Sequence, residues 1–264
     1  MYDSFRMFKE YVSHRFLAVN SKGHGVHSPF FFDFITRVLP DSGHSPIFDK
    51  PERYRKALLS DPTSFERVEM GAGSRGRKEL ATVRSRAFRS LQKARWARLL
   101  YRMVAHHRPG PIPEIGTSFG VTTEYLAAAD PNVPVFTLEG DPFVARRAAR
   151  QFQADGFSQI RLIEGNFDDT LSDTLRQVGH VGFVWLDGNH RKEPTLRYVE
   201  QLIGHLHNDS MLVLDDIYWS SSMQAAWQQI QQHPAVTGTI DLFQLGVVLF
   251  RREFRQKSHI RLHY

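Results

Sequence analysis

From Pro111 onward, short apolar runs alternate with amphipathic stretches at close intervals, the rhythm of βα units feeding a parallel sheet. Candidate strands span 112–115, 135–139, 160–164, 181–187 and 211–215. Each is continuously apolar, as expected of strands covered on both faces. Helices fit between them, starting near Thr122, Pro142, Asp169, Lys192 and Ser222, and Pro142 suits a first turn in which its missing N–H is not needed. After Pro234 two further strands are separated only by Gln244 to Gly246. That gap is too short for a parallel crossover, so the pair is antiparallel. The expected fold is α/β: a Rossmann-like, seven-stranded, mostly parallel sheet with a C-terminal antiparallel hairpin, helices on both faces and a helical N-terminal extension.

The first 110 residues lack this rhythm. Helical periodicity is visible over 5–18, 30–39, 53–59 and 91–106, with breaks at 21–25, 40–51 and 70–76. We therefore divide the chain into a helical extension, 1–110, acting as lid or substrate-recognition element, and a sheet domain, 111–264. The glycine-rich stretch Gly71 to Gly76 lacks the Lys-Ser/Thr ending of a phosphate loop and reads as a turn.

Composition narrows the chemistry. The chain has no cysteine, which excludes disulfides, thiolate metal sites and a cysteine nucleophile. No apolar run approaches the roughly 20 residues that cross a bilayer, and the N-terminal residues lack the continuous apolar segment of a signal peptide. A cytoplasmic protein is expected. Residues 1–110 hold 21 Lys and Arg against 10 Asp and Glu, whereas 111–264 hold 13 against 18. A basic extension on an acidic core suits an anionic partner such as nucleic acid, a phosphorylated metabolite or lipid headgroups; arginine stems packed along a solvated helix surface account equally for the surplus.

The residues that bear on function lie at strand ends. Glu114-Ile-Gly116-Thr117-Ser118-Phe-Gly120 closes the first sheet strand and leads into a helix, so that backbone can approach a ligand closely. Glu139 closes the next strand, where a carboxylate can accept both hydroxyls of a ribose. A nucleoside ligand follows. The glycine spacing is GxxxG rather than the GxGxxG of dinucleotide enzymes, which argues against an NAD-dependent reductase. A non-catalytic nucleoside-binding scaffold is a further alternative.

Glu-x-Gly-x-x-x-Gly followed by an acid ending the next strand resembles the first two motifs of class I S-adenosylmethionine-dependent methyltransferases. The resemblance implies that Glu114, Gly116, Thr117 and Ser118 line the cofactor, that Glu139 binds its ribose and that Gly140 lies beside the adenine. Asn166 and Phe167 occupy the place of the family's adenine contacts. The segments ending in Asp187 and in Asp215-Asp216 resemble the cation ligands of catechol- and caffeoyl-CoA-type O-methyltransferases, implying Mg²⁺ held by Asp187, Asp215 and Asp216, although Asp216 replaces the family's asparagine. His190 stands where the catechol-type enzymes place a proton-accepting lysine, so Asp187, also a cofactor contact, and His190 are the catalytic candidates. Each has a plainer reading, as a helix cap and as a loop hydrogen-bonding residue. Together with Lys22 to Phe30, these segments resemble an uncharacterised bacterial branch of that family. His24 and His27 within it are expected to stabilise a turn or to line a substrate site. Tyr218 and Trp219 either wall an aromatic substrate or pack in the core. The implied activity is O-methylation of a small-molecule acceptor, with RNA or another polyanion as the alternative.

Overall fold

The computed structural model describes residues 4–18, 28–69, 77–108 and 110–264. The Gly71 to Gly76 stretch, His24 and His27 lie outside them. In chain order the elements are α1 (Ser4–Leu17), α2 (Pro29–Asp33), α3 (Asp49–Ser60), β1 (Ser64–Glu69), β2 (Arg77–Thr82), α4 (Val83–Ser90), α5 (Ala94–His107), β3 (Ile112–Ile115), α6 (Val121–Ala129), β4 (Val135–Glu139) and α7 (Pro142–Asp155). They continue with β5 (Ile160–Glu164), α8 (Phe167–Val178), β6 (Val181–Leu186), α9 (Lys192–Ile203), β7 (Leu206–Leu214), α10 (Ser221–Gln232), β8 (Gly238–Asp241), β9 (Gly246–Leu249) and β10 (Ser258–Arg261). The expected strand and helix starts in 111–250 are met within about two residues, except that β7 begins at Leu206, five residues before the expected 211. No helix among the described residues is long and apolar enough to cross a membrane.

Two compact units emerge, residues 41–177 and residues 1–40 with 178–264. The first 110 residues are thus shared between them. In the 41–177 unit β3 pairs β4 and β4 pairs β5, all parallel. Its core joins Phe48, Leu58 and Phe65 to Phe119, Tyr125 and Val144, so α3 to α5 and the βα units share one apolar interior. The β1–β2 pair was not expected from the sequence. It is an antiparallel hairpin that seats Phe65 against Phe143, ring centroids 4.2 Å apart and nearly parallel.

In the other unit β6 and β7 run parallel, and β7 and β8 each pair β9 antiparallel. This is the expected C-terminal hairpin. An eighth strand, β10, then pairs parallel with β8, extending the seven-stranded expectation by one. Helix α1 is tied to this unit by a buried polar cluster. His14 Nε2 lies 2.9 Å from Asp241 Oδ1, the Tyr218 hydroxyl donates to Asp241 Oδ2 at 2.8 Å, and the Phe243 N–H donates to Oδ1. Burial alone would raise the Asp241 carboxyl, yet the bonds from His14, Phe243 and Tyr218 hold it below the usual carboxylate range. Asp241→Ala would strand these donors away from water. It is expected to lower unfolding stability by about 3 kcal/mol, read as a lower midpoint in urea with an unchanged slope.

Candidate functional site

The turn after β3 is shaped by three residues with positive φ, Gly116 at 106°, Ser118 at 50° and Gly120 at 85°. Glycine tolerates such angles because it has no Cβ to clash with the following carbonyl. At Gly120 packing adds a second reason, since a Cβ there would clash with the Phe152 ring of α7. The Gly116 and Thr117 N–H groups both donate to the Leu138 carbonyl, anchoring the turn to β4. Helix α6 then starts with no side-chain cap at Gly120.

Glu139 is clamped to this turn. Its Oε2 accepts the Ser118 N–H at 2.7 Å and its Oε1 accepts the Asp141 N–H at 2.9 Å. Burial pushes its carboxyl up, against the Asp141 N–H, the Arg86 charge and the Ser118 N–H. Each oxygen retains a second lone pair, so two vicinal hydroxyls can bind without breaking the clamp. Asp141 in turn caps α7 by accepting from the Phe143 and Val144 N–H groups, and it also holds the Val68 N–H of β1. The Ser118 hydroxyl shares a 2.7 Å bond with that of Ser90 on α4.

Glu114 does different work. It is fully buried, and its Oε2 accepts from Thr123 at 2.5 Å and Thr137 at 2.6 Å. Since Thr137 also bonds Thr117, this carboxylate braces β3, β4 and α6 beneath the turn. Asn166 caps α8, its Oδ1 accepting the Asp168 N–H at 3.1 Å, with half-buried Phe167 beside it. Gly140 is buried between Glu139 and Asp141.

In the other unit Asp187 follows the fully buried β6, and its Oδ1 lies 3.3 Å from His190 Nε2. Both side chains are partly exposed, at 18% and 32%. An imidazole whose Nε2–H points at a carboxylate has Nδ1 as its basic nitrogen. The intervening Asn189 sits at φ 61° and donates to the Tyr198 hydroxyl of α9. Asp215 is buried at the end of β7, its N–H donating to the Leu186 carbonyl, and Asp216 begins a turn at φ 53° whose carbonyl accepts the Trp219 N–H.

Residues 114–217 match the family model described as a methyltransferase domain. Over these residues the chain is similar to methyltransferase domains. The match begins at Glu114 and ends just past Asp215 and Asp216, as the resemblance of the strand-end motifs implied. Among curated proteins none matches the sequence. Solved structures share the fold at low identity. A methyltransferase from Podospora anserina with SAH bound is 13% identical, with a TM-score of 0.61 over 85% of this chain and 97% of that one. An O-methyltransferase from Bacillus cereus in complex with SAH is 14% identical, with a TM-score of 0.56 over 79% and 92%. The O-methyltransferase TomG of Streptomyces achromogenes, involved in tomaymycin synthesis and solved with SAM, is 13% identical, with a TM-score of 0.56 over 84% and 95%.

Within the matched residues the structure brings Gly116, Thr117, Ser118 and Glu139 into one hydrogen-bonded group and pairs Asp187 with His190. The cation set does not assemble. Among the described residues no three His, Asp or Glu side chains come together as a metal site, so the structure does not support Mg²⁺ at Asp187, Asp215 and Asp216. Adjacency at strand ends brought these carboxylates to one edge of the sheet, but coordination needs their oxygens to converge on a point. Tyr218 is buried and spent on Asp241, which favours packing over a substrate wall. The bracing partners Thr123, Thr137 and Ser90 carried no sequence signal. A hydroxyl's partner depends on pairings that only the fold supplies.

Proposed function

We propose that this protein transfers a methyl group from S-adenosylmethionine to an oxygen of a small-molecule acceptor. The observation that carries the reading is the clamp of Glu139 on the Ser118 N–H, inside a positive-φ glycine turn. That arrangement suits a nucleoside whose ribose hydroxyls donate to the carboxylate and whose remainder follows the turn. Gly116, Thr117 and Ser118 line the methionine part, Gly140, Asn166 and Phe167 flank the adenine, and Glu114 braces the turn from below. SAM and SAH in the structural relatives support the choice of nucleoside. Residues 1–110 serve acceptor recognition, a role supported by the Ser90 bond to the cofactor turn.

In the reaction the acceptor hydroxyl gives its proton to His190, which Asp187 orients. The oxygen lone pair then forms the new C–O bond as the methyl C–S bond breaks and its electron pair returns to sulfur, leaving S-adenosylhomocysteine. Alignment and proton removal are the work of the chain's own residues.

Thermal unfolding with S-adenosylhomocysteine, S-adenosylmethionine and NAD(H) tests the cofactor. A ligand that binds only the folded state at 100-fold its Kd adds about 2.7 kcal/mol, so the two adenosyl sulfur compounds are expected to raise the melting temperature by several degrees. A shift with NAD(H) alone would overturn the reading. Once an acceptor is found by screening, His190→Ala is expected to lower kcat by about 100-fold with the Kd for S-adenosylhomocysteine unchanged. Loss of cofactor binding in that variant would assign His190 a structural role instead.

A further inference from the structure

The 41–177 unit contains a cavity of about 490 Å³ that none of the residues discussed as methyl-transfer groups lines. Tyr54 of α3 forms one side, and Phe143, Arg146, Arg147, Arg150 and Gln151 of α7 form the other. Its size falls within the range of about 300–1,000 Å³ usual for small-molecule sites. Phe143 is held in place by its stack on Phe65, so this wall is fixed.

Three guanidiniums on one helical stretch repel one another unless something neutralises them. Arg147 is paired with Asp61. Among the described residues neither Arg146 nor Arg150 has an ion-pair partner. Gln151 is engaged with Asp155 through its amide. A solvated basic face would explain the arginines but not the tyrosine. Tyr54 is only 7% exposed, yet among the described residues its hydroxyl makes no well-formed hydrogen bond, and the guanidinium beside it, Arg147, is committed to Asp61. A buried hydroxyl left unsatisfied is destabilising, a penalty that a ligand accepting from it would remove.

We propose that this cavity binds a phosphate-bearing small molecule, its phosphate held by Arg146 and Arg150 and receiving a hydrogen bond from the Tyr54 hydroxyl. Two uncompensated guanidiniums match a dianionic phosphate in charge, and their planar N–H forks match its oxygens in geometry. A concave site with a hydroxyl in its wall suits a terminal phosphate entering end-on. A nucleic-acid backbone, which runs across a surface, would leave that hydroxyl unmet. The site is independent of the methyl-transfer reading.

Titration calorimetry of the full chain with inorganic pyrophosphate, at constant ionic strength, tests this. Saturable one-site binding is expected, weakened about tenfold or more by Arg146→Ala combined with Arg150→Ala and about threefold by Tyr54→Phe. Both arginines are exposed, so the double variant keeps the fold. Arg84→Ala with Arg89→Ala removes the same charge from α4 and is expected to change nothing. Absence of saturation, or equal weakening by the α4 pair, would overturn the proposal. So would a mixed-sequence single-stranded RNA that displaces pyrophosphate, binds more tightly and loses affinity steeply with salt, since that would make the surface a nucleic-acid site.

Discussion

Glu139→Ala is expected to weaken binding of S-adenosylhomocysteine about a thousandfold. The carboxylate stands to accept two ribose hydroxyls, and hydrogen bonds to an ionised group contribute about 1.5–3 kcal/mol each. Removing it also releases the Ser118 N–H that it fixes at 2.7 Å, so the turn loses one of its anchors to the end of β4. Glu139→Gln separates the two contributions. It keeps an oxygen for the Ser118 N–H but carries no charge, and a loss of only about tenfold is expected. Calorimetric titration of both variants, with far-ultraviolet circular dichroism to show that they fold, reads the result. An alanine variant that binds within threefold of wild type would remove Glu139 from the cofactor site and with it the main support for a nucleoside ligand.

The same contacts show what the sequence could and could not reveal. The turn and its acid were legible because each follows an apolar run: Ile115 and Leu138 are both fully buried, and the residues that end such strands emerge at the sheet edge. The antiparallel pair β8–β9 was legible from its short connection. Strand β10 was not, because Ser258 to Arg261 is short, half exposed and preceded by charged residues, and only its pairing with β8 makes it a strand. The β1–β2 hairpin was missed for a similar reason. Charged residues flank Phe65 and Val68, and the benefit of burying Phe65 comes from Phe143, far along the chain. His14 and Asp241 are 227 residues apart, and nothing local marks either as the other's partner. The reading of three aspartates as a cation set found no support, because a metal site needs oxygens that converge, which residue order cannot express. Asp187 with His190 was recoverable because only two residues of chain separate them.

Glu124→Gln is expected to stabilise the protein by about 5 kcal/mol near pH 9 and to leave it almost unchanged near pH 4. Glu124 of α6 is fully buried, and among the described residues the Asp155 carboxyl is the side chain turned toward it, with no N–H donor on either of its oxygens. Burial raises its carboxyl from the ordinary 4.5 to about 8; Asp155 of α7 pushes the same way, and Lys50 and Arg53 of α3 oppose. Below pH 4.5 both the folded and unfolded chains hold the proton, and its contribution to stability is complete. Between 4.5 and about 8 only the folded chain holds it, so stability falls as pH rises. Above about 8 the folded state must bury the charge, and the full contribution is lost. Glutamine mimics the protonated acid at every pH and removes that slope. Urea midpoints of wild type and variant at three pH values decide the matter, and parallel curves would show that Glu124 is ionised in the native state. The site should register the same titration. The Glu124 N–H donates to the Gly120 carbonyl at the end of the candidate cofactor turn, so a charge forced into α6 loosens the helix that this turn begins. Affinity for S-adenosylhomocysteine is therefore expected to decline above pH 8 in the wild type and to stay level in Glu124→Gln.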